Sequence, residues 1–220
     1  MKRITIIAAL IFSYSIAFAQ PAAQTDTKAK GILDQVSAKN KAHKTIYAEV
    51  SYSLSNGKGV NNTKNLKVYL KGNKYHVNTG EQVVICDGKN VWKYFAEQNE
   101  ADWTEVDAND KDAITPQNMF TIYQTGFKYK FIKEETPKGG KAQYIIELYP
   151  LKPKEKDYTL IKLFIDKAEL RITKAEVAGR NGSSYTYKIK VFTPNKAMDE
   201  SLFTFDKAKY PKVVINDLRD

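Results

Sequence analysis

His43 and His76 are the chain's two histidines and Cys86 is its single cysteine. These are its only imidazoles and its only thiol, the imidazole being the side chain most often used as a general base. A catalytic histidine needs a nucleophile or a carboxylate within hydrogen-bond reach. His43 follows an amphipathic stretch and reads as a solvated histidine at a helix end. His76 lies in an alternating stretch, on the face opposite Tyr75 and Val77. Neither belongs to a spacing suited to a metal. No G-x-S-x-G elbow presents a serine, and no Gly-rich loop is built to cradle phosphate. Asp107, Asp110 and Asp112 stand close together with Asn109, but they lack the glycine and the terminal glutamate of a calcium loop. Cys86 sits in an apolar run beside a tight turn and reads as a buried, inert thiol. A lone cysteine also rules out an internal disulfide. The sequence therefore assigns no catalytic residue, no metal ligand and no cofactor, and the protein is read as a non-enzyme.

What the chain has in abundance is aromatic: 14 Tyr, 10 Phe and 2 Trp. The elements that carry them follow from periodicity. Thr25, Asp26 or Thr27 can cap a helix in which Ala29, Ile32, Leu33 and Val36 recur at helical spacing. That helix should end between Asn40 and His43. From Thr45 the period changes to 2. Ile46, Ala48, Val50, Tyr52 and Leu54 alternate with Tyr47, Glu49, Ser51 and Ser53, the pattern of a half-buried strand. Further strands are predicted at 66–71, 75–79, 83–86, 91–95 and 103–106. Asp87-Gly88 between two apolar runs is a strong hairpin signal. Residues 107–126 break the pattern with Pro116, Met119, Phe120, Ile122 and Tyr123, which suits a short helix or lid-like loop. Strands resume at 129–132, 143–148, 159–165, 171–178 and 185–192, with a helical turn within 194–202 and a last edge strand at 213–215.

About eleven strands with short connections and no βαβ repeat predict an antiparallel sheet. Curling it into an incomplete barrel removes most open edges. A curved sheet with an N-terminal helix and a short helical lid over its concave side can leave an apolar cavity there.

The first nineteen residues read as a signal peptide. Met1-Lys2-Arg3 is the basic region, Ile4 to Ala17 the apolar stretch, and Ala17-Phe18-Ala19 the cleavage site. Export by the general secretory route and one domain over 20–220 follow. The formal charge of +10 falls to +8 once Lys2 and Arg3 leave. The lysines are spread along the chain rather than clustered, which points away from nucleic acid.

In order, the chain carries "YAEVSYSL", "YLKGNKYHV", "VVICDGKNVWKYF", "NMFTIYQTGF" and "LFTFDKAKYPKVVIND". This order resembles the LolA-type periplasmic outer-membrane lipoprotein carrier family over nearly all of residues 20–220. The most specific pieces are the D-G-K-x-x-W-x-Y block at Asp87, Gly88, Lys89, Trp92 and Tyr94, and the F-x-F at Phe203 and Phe205. The resemblance implies a hydrophobic cavity for the acyl chains of lipoproteins. It implies receipt from an inner-membrane lipoprotein-releasing ATP-driven transporter, passage across the periplasm as a monomer, and release at an outer-membrane acceptor. The expected lipid-binding residues are Val50, Tyr52, Leu66, Val68, Leu70, Tyr75, Trp92, Tyr94, Met119 and Phe120. Where the family has an R-P-x-x-F segment with a latching arginine, this chain has Lys71-Gly72-Asn73-Lys74-Tyr75. Lys71 is then the approximate lid latch, although lysine lacks the planar fork of arginine. A lipid- or lipoprotein-binding sensor of the same fold is the alternative function, and a secreted lipid hydrolase the third.

Overall fold

The computed structural model describes residues 26–56, 59–107, 115–116 and 119–219. The predicted signal peptide, the capping candidate Thr25, and Asp110 and Asp112 lie outside these residues. One helix, α1 (Thr27–Lys41), precedes the strands β1 (Thr45–Ser55), β2 (Val60–Lys71), β3 (Lys74–Asn78), β4 (Gln82–Cys86), β5 (Asn90–Phe95) and β6 (Glu100–Glu105). After the interruption come β7 (Phe127–Glu135), β8 (Gln143–Pro150), β9 (Tyr158–Asp166), β10 (Arg171–Gly179), β11 (Ser184–Pro194) and β12 (Val214–Asp217). Asp26 is the helix cap, its carboxylate accepting from the Ala29 N–H at 2.9 Å.

All twelve strands form one sheet in the order β12-β6-β5-β4-β3-β2-β1-β11-β10-β9-β8-β7. The sheet is open and curled, an incomplete barrel edged by β12 and β7. Register shifts at Glu49/Val50, Ile172/Lys174 and Phe131/Lys133 mark bulges, which bend strands and increase twist. Every pair is antiparallel except β12 on β6. The expectation of a wholly antiparallel sheet fails there because β12 reaches β6 after the rest of the chain has intervened, not through a hairpin. The interrupting segment contributes a 3-10 turn at Ile122–Gln124.

Strand pairing sorts the side chains into two faces. On the inner face, Ile46, Ala48 and Val50 of β1 meet Leu70, Val68 and Leu66 of β2. Leu70 then meets Tyr75, and Tyr75 meets Cys86. Helix α1 lies over the β7–β10 side of this face. It buries Ala29, Ile32, Leu33 and Val36 against Tyr129, Ile146, Leu163, Ile165 and Ile172. The outer face of β4–β6 is covered by the chain's last segment, where Phe205 packs with Val83, Ile85 and Ala101.

Candidate functional site

The inner face divides into a filled part and an open part. Under α1 it is packed: Leu33, Val36, Ile146 and Ile165 are almost wholly buried. Toward the rim formed by the β10–β11 turn the cover ends. There Val50, Tyr52 and Leu54 of β1 are half-buried and lie opposite Ile189, Tyr187 and Tyr185 of β11. The Tyr52 ring stands 6.0 Å from Tyr185 at 20° and 5.2 Å from Tyr187, so three phenols form one aromatic patch. Tyr187 remains 36% exposed. Packing of the rings against one another keeps the Tyr52 and Tyr187 phenols above their ordinary pKa, burial being the larger cause for both. Both of these phenols are therefore neutral across the physiological range. Leu66, opposite Val50, extends it onto β2. A half-open cavity of about 280 Å³ nearby is lined mainly by Glu49, Asn65, Lys67 and Asn78 of the outer face and by Lys190, together with Val50 and Leu66.

Phe120 joins the two parts. It is half-buried and packs against the cluster under α1 and also against the cluster of Ile46, Leu70, Tyr75 and Cys86. One side chain from the interrupting segment thus touches both sides of the curl. The same segment is tied to the helix, because the Tyr123 hydroxyl donates to Asp34 Oδ1 at 2.8 Å. Burial and that carboxylate push the Tyr123 phenol up to about 12.

Six of the expected lipid-binding residues share the inner face: Val50, Tyr52, Leu66, Val68, Leu70 and Tyr75. Leu70 and Tyr75 are buried in the core, whereas the others are half-buried. Phe120 lies over this face, and Met119 beside it is 41% exposed. Trp92 and Tyr94 are the correction. They point to the outer face, where Trp92 stacks on Trp103 at 5.6 Å and on Phe205 at 6.2 Å, and Tyr94 meets Tyr210 at 4.4 Å. The reason is local register: β5 places Val91 with Cys86 on the inner side, so Trp92 and Tyr94 must take the other. Trp92 and Tyr94 of the D-G-K-x-x-W-x-Y block and Phe205 of the F-x-F therefore pack together on the outer face.

Lys71 is likewise not placed to latch a lid. It projects on the outer face and pairs with Glu200, which also binds Lys74 at 2.9 Å. His76 belongs to the same attachment, its Nδ1 lying 2.8 Å from the Leu202 carbonyl. The residues that hold α1 down are others. Asp26 reaches the Phe131 N–H of β7, Asp34 takes Tyr123, and Lys39 binds the Glu169 carbonyl. Sequence reasoning also missed Leu54, Tyr185, Tyr187 and Ile189 as site residues, because nothing local marks the part of a strand that the helix leaves bare.

Among the described residues no group of three or more His, Cys, Asp and Glu could hold a metal ion. The Cys86 thiol is buried, 3.8 Å from the Asn73 carbonyl. Among the described residues no helix is long and apolar enough to cross a membrane.

The family model of the outer membrane lipoprotein carrier protein LolA matches residues 17–147. No curated protein matches the chain in sequence. Among solved structures, an uncharacterized conserved protein from Thermus thermophilus is similar at 14% identity, over 86% of this chain and 99% of that one, with a TM-score of 0.58. A LolA superfamily protein from Nitrosomonas europaea gives 12% identity, 80% and 97% coverage, and a TM-score of 0.43. The lipoprotein LppX of Mycobacterium tuberculosis gives 11%, 80% and 99%, and 0.46. At 14% identity the likeness to the Thermus thermophilus protein is one of fold.

Proposed function

This chain belongs to the family of the outer membrane lipoprotein carrier protein LolA, and from that premise we propose that residues 20–220 act as a periplasmic carrier. Residues 1–19 direct export by the general secretory route. The mature protein receives acylated lipoproteins from an inner-membrane ATP-driven transporter, shields their acyl chains, and releases them at the outer membrane. The observation that carries this reading is the bare aromatic patch of Tyr52, Tyr185 and Tyr187, continuous with the apolar face that runs beneath α1.

The energetics set the task. Each methylene moved out of water is worth roughly 0.8 kcal/mol, so an acyl chain in transit needs apolar cover over most of its length. Under α1 the inner face is packed, with Leu33, Val36, Ile146 and Ile165 almost wholly buried. Full cover for an acyl chain therefore requires α1 and Phe120 to move off the inner face. That step costs the packing under the helix and lowers apparent affinity, which suits a cargo that must be released. Rings and aliphatic side chains without fixed polar partners accept chains of varied shape.

The test is native mass spectrometry of the protein purified from its own periplasm without detergent. Bound acylated lipoprotein is the expected result. Bound free phospholipid would redirect the function toward a lipid-binding sensor. A protein that is empty, and that takes up no apolar dye, would overturn the carrier reading.

A further inference from the structure

The fold gathers at one rim lysines that the sequence spreads out. The turn between β8 and β9, residues 151–157, holds Lys152, Lys154 and Lys156 together with Glu155 and Asp157. Lys128 of β7 stands beside it, because Phe127 pairs with Pro150 and the Leu151 N–H donates to the Gly126 carbonyl at 2.9 Å. Arg180, from the neighbouring β10–β11 turn, fixes the shape of the group. Its backbone N–H donates to the Asp157 carbonyl at 2.8 Å, its Nε to the Lys156 carbonyl at 3.3 Å, and a terminal nitrogen to the Pro153 carbonyl. These acceptors are carbonyls, which leave the guanidinium its full charge. Lys152 meets Glu155 at 3.3 Å, but that pair is exposed and weak in water. Among the described residues the rim therefore carries more positive than negative charge. An apolar side chain stands in the middle of it. Leu151 is 49% exposed, although its backbone is tied down, and Tyr149 before it is 39% exposed. Apolar groups held in water and rimmed by charge mark contact surfaces.

We propose that this rim docks on the surface of an anionic phospholipid bilayer, with Leu151 entering the interface and Lys128, Lys152, Lys154 and Arg180 meeting lipid phosphates. The combination selects the partner. Basic residues are drawn to an anionic bilayer, and a leucine gains by leaving water for the acyl boundary. A nucleic acid would satisfy the charges and leave Leu151 in water. The inner face of the sheet opens at the same rim. Strand pairing sets Leu148, Ile161, Val177, Tyr185 and Leu54 in one row across β8, β9, β10, β11 and β1. The last three are half-buried, and at the β8 end Phe127 stacks on Tyr158 at 6.2 Å. Docking by this rim sets the bare end of that row, with the Tyr52 patch beside it, at the bilayer surface. An acyl chain then passes between membrane and protein without crossing open water. That last step rests on the carrier reading, whereas docking itself does not.

The experiment is cosedimentation of the protein, purified from its periplasm, with vesicles of phosphatidylglycerol and phosphatidylcholine in equal parts, beside vesicles of phosphatidylcholine alone. Binding to the anionic vesicles is expected. It should weaken as salt rises from about 0.01 to 0.15 M, where the screening length falls from about 30 to 8 Å. Lys152→Glu/Lys154→Glu should weaken it by about tenfold or more. Lys207→Glu/Lys209→Glu makes the same change of charge on an exposed turn of the outer face and should leave binding within about twofold at 0.15 M salt. Leu151→Ser should weaken binding by about threefold or more, since the interface no longer takes up an apolar side chain. All of these positions are exposed, so each variant should melt with the parent. No binding to the anionic vesicles, equal binding to phosphatidylcholine alone, equal losses in the two lysine pairs, or full binding by Leu151→Ser would overturn the proposal. The measurement contains no lipoprotein, so its failure is distinguishable from a failure of carriage.

Discussion

Asp26 holds two backbone N–H groups at once: that of Ala29 in the first turn of α1 at 2.9 Å, and that of Phe131 in the edge strand β7 at 2.8 Å. One carboxylate thus caps the helix and fastens it to the sheet. Lys28 completes the joint, its ammonium lying 3.7 Å from the centre of the Phe131 ring.

Asp26→Ala removes both bonds. Loss of a helix cap costs about 0.5–2 kcal/mol, and the abandoned Phe131 N–H adds to it, so a loss of about 1–3 kcal/mol is expected. Chemical denaturation measures this directly. Asp26→Ser, which can still cap Ala29, should recover part of the loss. A variant as stable as the parent would show that α1 is held by its apolar contacts alone.

The same contacts predict acid sensitivity. Hydrogen bonds from Ala29 and Phe131 lower the Asp26 pKa, and those from Lys30 and Tyr123 lower that of Asp34. Both carboxyls have an ordinary value of 3.8. Their contribution is complete above that value and is lost as pH falls through the lower folded-state values, because the unfolded chain then binds more protons. Thermal melts from pH 7 downward should therefore show Tm falling less steeply below pH 4 in Asp26→Asn/Asp34→Asn than in the parent. Parallel profiles would contradict the assignment.

Charge placed on each face separates the two faces functionally. Tyr52→Glu enters the half-bare patch and should abolish uptake of an apolar dye while changing Tm little. Trp92→Glu enters the stack of Trp103 and Phe205 and should cost several kcal/mol, since burying a charge among rings is the expensive case. Its residual folded fraction should still bind dye. The opposite pattern would place the lipid-binding surface on the outer face.

Much of this was legible in the sequence, for a physical reason. Period-2 alternation fixes which residues share a face, so Val50, Tyr52, Leu66, Val68, Leu70 and Tyr75 fall together once the strands pair. Alternation does not say which face a distant segment will cover. In β5 both faces carry apolar residues, because α1 does not reach that end of the sheet and the segment with Phe203 and Phe205 covers the outer side. Trp92 and Tyr94 were misplaced for that reason. Lys71 was misread similarly, since its partner Glu200 is 129 residues away in sequence.

Lys71→Ala tests the corrected role. The pair with Glu200 is solvent-exposed, and Lys74 remains to hold the same carboxylate. Dye uptake and release should be unchanged and the melting curve nearly superimposable. A faster release rate would restore Lys71 as a latch and overturn its assignment to the outer face.

Phe120→Ala tests the bridge across the curl. The ring is half-buried and touches both inner-face clusters, so its removal should cost about 1–2 kcal/mol, less than for a fully buried phenylalanine. The kinetic effect should be larger than the thermodynamic one. If α1 and Phe120 together obstruct the inner face, then removing the ring lowers the barrier to entry and exit alike, and an apolar dye should both associate and dissociate faster. Stopped-flow fluorescence distinguishes this from a simple loss of contact area, which would raise the off-rate and leave the on-rate unchanged. An unaltered on-rate would mean that cargo reaches the Tyr52 patch without displacing Phe120, and that the obstruction resides in α1 alone.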